Sequence, residues 1–109
     1  MKLPADAAIA REKLTKYLLV RQARADKSAC LAAAGYTAAN PDRLLHDLRR
    51  QVLSKEAILI GQTKFGESYE IRARLTGPNG TALRIRSIWM KEHLSGVTKF
   101  ITLVPDRKR

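Results

Sequence analysis

The residue types that most often carry chemistry are scarce in this chain: two histidines, His46 and His93, and one cysteine, Cys30. His46 falls among Leu44, Leu45 and Leu48 at helical spacing, where a surface or interhelical role is expected. His93 falls in a loop, from which a histidine could reach a ligand. These residues are too few and too scattered to hold a metal. The glycine-rich phosphate loop and the dinucleotide fingerprint are both absent, and no Ser/His/Asp or Cys/His set stands out. No metal and no small-molecule cofactor is therefore expected. What remains is chemistry that needs neither. RNA can be cut by its own 2′-OH, provided a base or positioning group lies near that oxygen and cations steady the crowded phosphorane. Lys27 at a helix start, Arg86, Ser87 and Thr102 on strands, and Tyr69 could furnish such a set. Each also has an ordinary role: Lys27 solvated, Ser87 and Thr102 as strand residues, Tyr69 in the core.

Charge points the same way. Lys and Arg number 21 against 10 acidic residues, a formal +11. Such an excess repels itself, so it calls for an anionic partner, of which nucleic acid is the commonest. Part of it lies in a basic tail, Asp106-Arg107-Lys108-Arg109. With 45% hydrophobic and 28% charged residues, the 109-residue chain has the composition of one globular domain. The boundaries expected are 1–105 for the domain and 106–109 for the tail. A single cysteine excludes an internal disulfide, and Cys30, in an apolar helical run, is expected to be buried. No apolar stretch approaches the roughly 18 residues that span a bilayer, and the first residues lack a signal-peptide core. A cytoplasmic domain without membrane contact is the expectation.

Two halves must position these residues. The first has helical spacing: Leu14, Tyr17 and Leu18 form one stripe, and a second helix runs from near Asp26 to Gly35. A third begins at Asn40-Pro41 and lines one face with Leu44, Leu45, Leu48 and Val52, leaving Arg43, Arg49, Arg50 and Lys55 outside. The second half alternates with period two. Tyr69, Ile71, Ala73 and Leu75 form one set, Leu83, Ile85, Ser87 and Trp89 the other, with Gly77-Pro78-Asn79-Gly80 between them. A third strand is expected over Lys99–Val104 and an extra one over Ala57–Gln62. Helices first and strands afterwards predict an α+β fold, with about three helices on one face of an antiparallel meander of three to four strands.

The turn fixes a register. With Pro78-Asn79 as a type I turn and Gly80 as the left-handed bulge residue, Gly77 faces Thr81. Leu75 then meets Leu83, Ala73 meets Ile85, Ile71 meets Ser87, and Tyr69 meets Trp89, all on the helix-packed face. On the other face Arg74 lies opposite Arg84 and Arg72 opposite Arg86, with only Glu70 nearby. Like charges opposite one another weaken a ladder, and a phosphate backbone gripped by guanidinium forks would offset that cost. Arg72, Arg74, Arg84 and Arg86 are thus the expected nucleic-acid-binding residues. With Tyr69 and Trp89 turned inward and only Phe100 left for the open face, base stacking is not the expected mode.

The chain resembles a family of small bacterial domains. The likeness lies in Lys2-Leu3-Pro4, Lys13-Leu14, Tyr17-Leu18-Leu19, Lys27, Ala33-Ala34-Gly35-Tyr36, Tyr69, Leu75-Thr76-Gly77-Pro78-Asn79-Gly80, Arg86-Ser87-Ile88-Trp89 and Thr102. Such domains stand beside a small partner gene or at the ends of larger secreted proteins, as in toxin–antitoxin and toxin–immunity pairs. The helices-then-meander order is also similar to the metal-independent ribonuclease toxins of barnase-like, colicin-like and ribosome-dependent types. The resemblance implies a ribonuclease toxin acting on tRNA or mRNA and an acidic antitoxin or immunity protein. Where its pattern leads one to expect a histidine before Lys27, this chain has Asp26. A non-catalytic nucleic-acid-binding domain and a basic module docking an acidic protein are the alternatives.

Overall fold

The computed structural model describes residues 2–19 and 28–106, so Asp26, Lys27, residues 107–109 and the side chain of Tyr17 lie outside the description. The fold is α+β: a four-stranded antiparallel sheet backed by short helical segments. The strands are β1 (Ile58–Gln62), β2 (Gly66–Thr76), β3 (Ala82–Glu92) and β4 (Thr98–Pro105), and their order in space is their order in the chain.

The β2–β3 hairpin has the register that its turn dictates. Gly77 N–H donates to the Thr81 carbonyl at 3.0 Å, Gly80 N–H to the Gly77 carbonyl at 3.0 Å, and Gly80 takes φ +86°. Tyr69 pairs with Trp89, Ile71 with Ser87, Arg72 with Arg86, Ala73 with Ile85, Arg74 with Arg84 and Leu75 with Leu83. The turn also does a second job. Asn79 donates its backbone N–H to Ala34 O (3.3 Å) and its Nδ2 to Ala33 O (3.0 Å), so it closes the carbonyl end of α2 (Ser28–Ala33). The chain turns away there at Gly35, with φ +96°. Gly77 lies so close that a methyl group in its place would run into the Ala34 carbonyl oxygen. Ala33–Tyr36 and Gly77–Gly80, far apart in sequence, are one clasp.

The helical residues come in short pieces. α1 (Arg11–Lys13) runs into a π-helical turn, Leu14–Leu18, and α3 (Pro41–Asp47) into another, Leu48–Val52. They bury Leu14, Leu18, Leu31, Leu44, Leu48 and Val52 against Ile71, Leu75, Ile85 and Trp89 of the sheet. Asn40 does not cap α3 with its side chain. It ties the preceding loop instead, accepting from Thr37 N–H at 2.7 Å and donating to Gly35 O at 3.0 Å. Cys30 is half-buried rather than buried, since the residue that α2 commits to the core is its neighbour Leu31. Behind the sheet, the Tyr36 hydroxyl donates to Asp47 Oδ2 at 2.6 Å, and Arg43 holds the same oxygen at 3.0 Å. Burial, then the Asp47 carboxylate, push the Tyr36 phenol far above its ordinary pKa, so it stays a donor.

Phe100 corrects the sequence reading. It is buried, edge-on to Trp89 with ring centroids 5.2 Å apart. The β3–β4 ladder pairs Ile88 with Thr102 but Trp89 with Phe100, so one residue of β4 bulges there. The extra residue lets Phe100 and Leu103, three apart in sequence, both face the core. Arg49 is also not a free outer charge. Its Nη1 donates to Ala7 O at 2.9 Å and to Ala5 O at 3.3 Å, pinning the first residues. Those residues cover the outer edge of β4, where Ala8 N–H meets Thr98 O at 2.8 Å and Phe100 N–H meets Ala8 O at 2.7 Å. Among the described residues no helix is long and apolar enough to cross a membrane.

Candidate nucleic-acid interface

The face of the sheet turned away from the core is built by alternation along three strands. β2 contributes Glu70, Arg72 and Arg74, β3 contributes Arg84, Arg86, Ile88 and Met90, and β4 contributes Lys99 and Thr102. Arg72 and Arg74 follow from the inward set Ile71, Ala73, Leu75, since a strand that buries one face must present the other. Arg84 and Arg86 follow in the same way from Leu83, Ile85 and Ser87.

The two arginine rungs are not alike. Arg72 Nε donates to Glu70 Oε1 at 3.0 Å, and Arg86 Nη1 to Glu70 Oε2 at 3.3 Å. One carboxylate therefore bridges both members of the Arg72–Arg86 rung. It sits deep, with 11% of its side chain exposed, while the two guanidinium chains remain about two-fifths exposed, at 43% and 40%. Arg74 and Arg84, the next rung toward the turn, are opposite each other with no ion-pair partner among the described residues. At the far end Lys99 is paired with Glu92 at 2.8 Å. Among the described residues, the arginines of this face that make no ion pair are those at the hairpin end.

Of the residues proposed for catalysis, the fold brings Arg86 and Thr102 to this face, Thr102 on the rung next to Arg86. Ser87 and Tyr69 are on the opposite face. The Ser87 hydroxyl, fully buried, donates to Ile71 O at 3.1 Å and accepts from the Trp89 indole N–H at 2.8 Å. Tyr69 donates to Glu67 at 2.9 Å, and burial together with that carboxylate raises its pKa, so it keeps its proton at neutral pH. Lys27 lies outside the described residues. His46 and His93 are both exposed and on other parts of the surface. Reasoning from sequence missed Glu70 as a site residue. The signal was present, because in the derived register Glu70 stands two residues from Arg72 and diagonal to Arg86, a spacing within reach of long side chains.

A carboxylate accepting from two guanidiniums has further lone pairs to offer. A phosphate at this rung would meet donors from Arg72 and Arg86, and the carboxylate between them could accept a proton from a ribose hydroxyl. The neighbouring Arg74–Arg84 rung offers guanidinium forks for the next phosphate along.

A small basic α+β domain with a helix-backed meander sheet and an arginine-bearing open face is thus the class of molecule. The chain belongs to the family described as a domain of unknown function, DUF6883, whose model matches residues 2–107. No curated protein and no solved structure matches the chain.

Proposed function

We propose that this domain binds RNA by its phosphate backbone on the open face of the sheet and cleaves it without a metal, as the toxin of a bacterial toxin–antitoxin or toxin–immunity pair. The observation that carries this reading is the unequal pair of rungs: Arg74–Arg84 without an ion pair among the described residues, Arg72–Arg86 bridged by one deep carboxylate. In this reading the helical segments form a three-helix layer that backs the sheet and leaves its other face to the polyanion. Arg72, Arg74 and Arg84 hold the backbone, while Arg86 and Thr102, with Lys27 as a further cation, surround the scissile phosphate. Glu70 takes the proton from the 2′-OH, the 2′-oxygen bonds to phosphorus, and the 5′-oxygen leaves, protonated by solvent. The products are a 2′,3′-cyclic phosphate and a 5′-hydroxyl. The protein acts in the bacterial cytoplasm, and an acidic partner covering the arginines silences it.

A second reading, binding without cleavage, is favoured by the bonds that Glu70 already makes to both arginines. Incubation of the purified protein with end-labelled RNA in a chelator separates the two. Cleavage to cyclic-phosphate ends that Glu70→Gln abolishes, with binding retained, supports the ribonuclease. Salt-sensitive binding without new ends supports the second reading. Absence of both binding and cleavage removes RNA as the ligand.

A further inference from the structure

A four-stranded sheet has two edges, and this fold treats them differently. The outer edge of β4 is occupied by the segment around Ala8, which bridges Thr98 and Phe100. The outer edge of β1 pairs with nothing among the described residues. Natural edges are usually blunted by lysine, proline or a charge. β1 has none of these, reading Ile58-Leu59-Ile60-Gly61-Gln62; its only irregularity is a register shift between Leu59 and Gly61, and its three large residues are 61%, 47% and 50% exposed. Three consecutive exposed aliphatic side chains on an open ladder are an expensive surface for a monomer to present to water.

Charge selects what covers it. A second copy would bring together two chains of formal charge +11. β1 is also shorter than its neighbour: it pairs only with Glu67 to Glu70 of β2, so Arg72 and Arg74 extend past its first residue. A strand laid on the outer edge of β1 and running on beyond Ile58 comes level with those two arginines on the open face. Its residues on the helix side would meet Leu59, which shares a face with Tyr69. We propose that the β1 edge takes an extended strand of alternating apolar and acidic residues from a partner protein, lengthening the sheet by main-chain hydrogen bonds. This inference goes beyond the RNA reading, because the strand pairing rests on the backbone edge of β1, and only the acidic residues of the added strand answer to Arg72 and Arg74.

The test uses the full chain and a synthetic peptide of alternating glutamate and valine, followed by calorimetry and amide exchange. Saturable binding is expected, with slowed exchange over residues 58–62. A lysine–valine peptide and a glutamate–valine peptide interrupted by proline should not bind. Leu59→Thr combined with Ile60→Thr should weaken the acidic peptide about tenfold, which corresponds to about 1.4 kcal/mol, with RNA binding unchanged. Equal binding of the lysine peptide, no binding of the glutamate peptide, or unaltered affinity in the double variant overturns the proposal. So does sedimentation as a dimer with protected β1 amides, which would assign the edge to a second copy. The peptide series on the unaltered chain stands even where the double variant fails to fold.

Discussion

The two faces of the β2–β3 hairpin are made by the same strands in the same register, yet they differ in how their polar groups are settled. On the core face the Ser87 hydroxyl has both a donor and an acceptor role filled, by Ile71 and Trp89, and the Tyr69 hydroxyl donates to Glu67. On the open face, two arginines share one carboxylate and two more oppose each other with none among the described residues. A residue pattern that folds the hairpin is indifferent to this second arrangement, so the open-face charges need a cause outside folding. Stability should depend on the core face and ligand binding on the other, and substitutions can break that division.

The largest effect is expected from Trp89→Ala, which empties the centre of the core face and removes the edge-on contact to Phe100. It should cost about 3–5 kcal/mol, seen as a large drop in the denaturant midpoint. An unchanged midpoint would mean that the core is organised around other residues. Next comes Gly77→Ala. The added methyl meets the Ala34 carbonyl, so the clasp between turn and α2 must open, at about 1–3 kcal/mol. The loss should be the same with or without RNA, since Gly77 packs against Ala34 on the helix side of the sheet, opposite the face that carries the arginines. Glu70→Gln leaves Arg72 and Arg86 as an unrelieved like-charge rung. Because both guanidinium chains are well exposed, the cost should be only about 1 kcal/mol, and phosphate or sulfate should restore much of it. Insensitivity of the Glu70→Gln midpoint to added phosphate would count against an anion site at this rung. The smallest effect on stability, and with the opposite sign, is expected for Arg74→Ala. Relief of the Arg74–Arg84 opposition should raise stability by about 0.2–1 kcal/mol. RNA affinity should fall, with a salt dependence shallower by about one phosphate contact. A stability loss in Arg74→Ala would show that the rung is structural after all.

The hairpin was legible in the sequence because two independent local rules agree there. Period-two alternation defines which residues share a face, and Gly77-Pro78-Asn79-Gly80 defines the offset between strands. Their agreement placed each arginine opposite its partner. Phe100 was misplaced because a bulge inserts one residue, which alternation alone does not reveal. The role of Arg49 depends on where the first residues of the chain dock, a long-range fact with no local signature. The clasp was visible only as two motifs, Ala33–Tyr36 and Gly77–Gly80, whose meeting requires the fold. Ser87 and Tyr69 were plausible by residue type, but the register had already turned them inward.

The strip around Ala8 that shields β4 has a consequence for biogenesis. Ala8 leaves the ribosome some ninety residues before its partners Thr98 and Phe100. Until then the segment around Ala8 lacks its β4 partners. Such a contact joins segments some ninety positions apart, which raises the contact order and slows the formation of this ladder. While that ladder is unmade, both margins of the sheet can capture a neighbour.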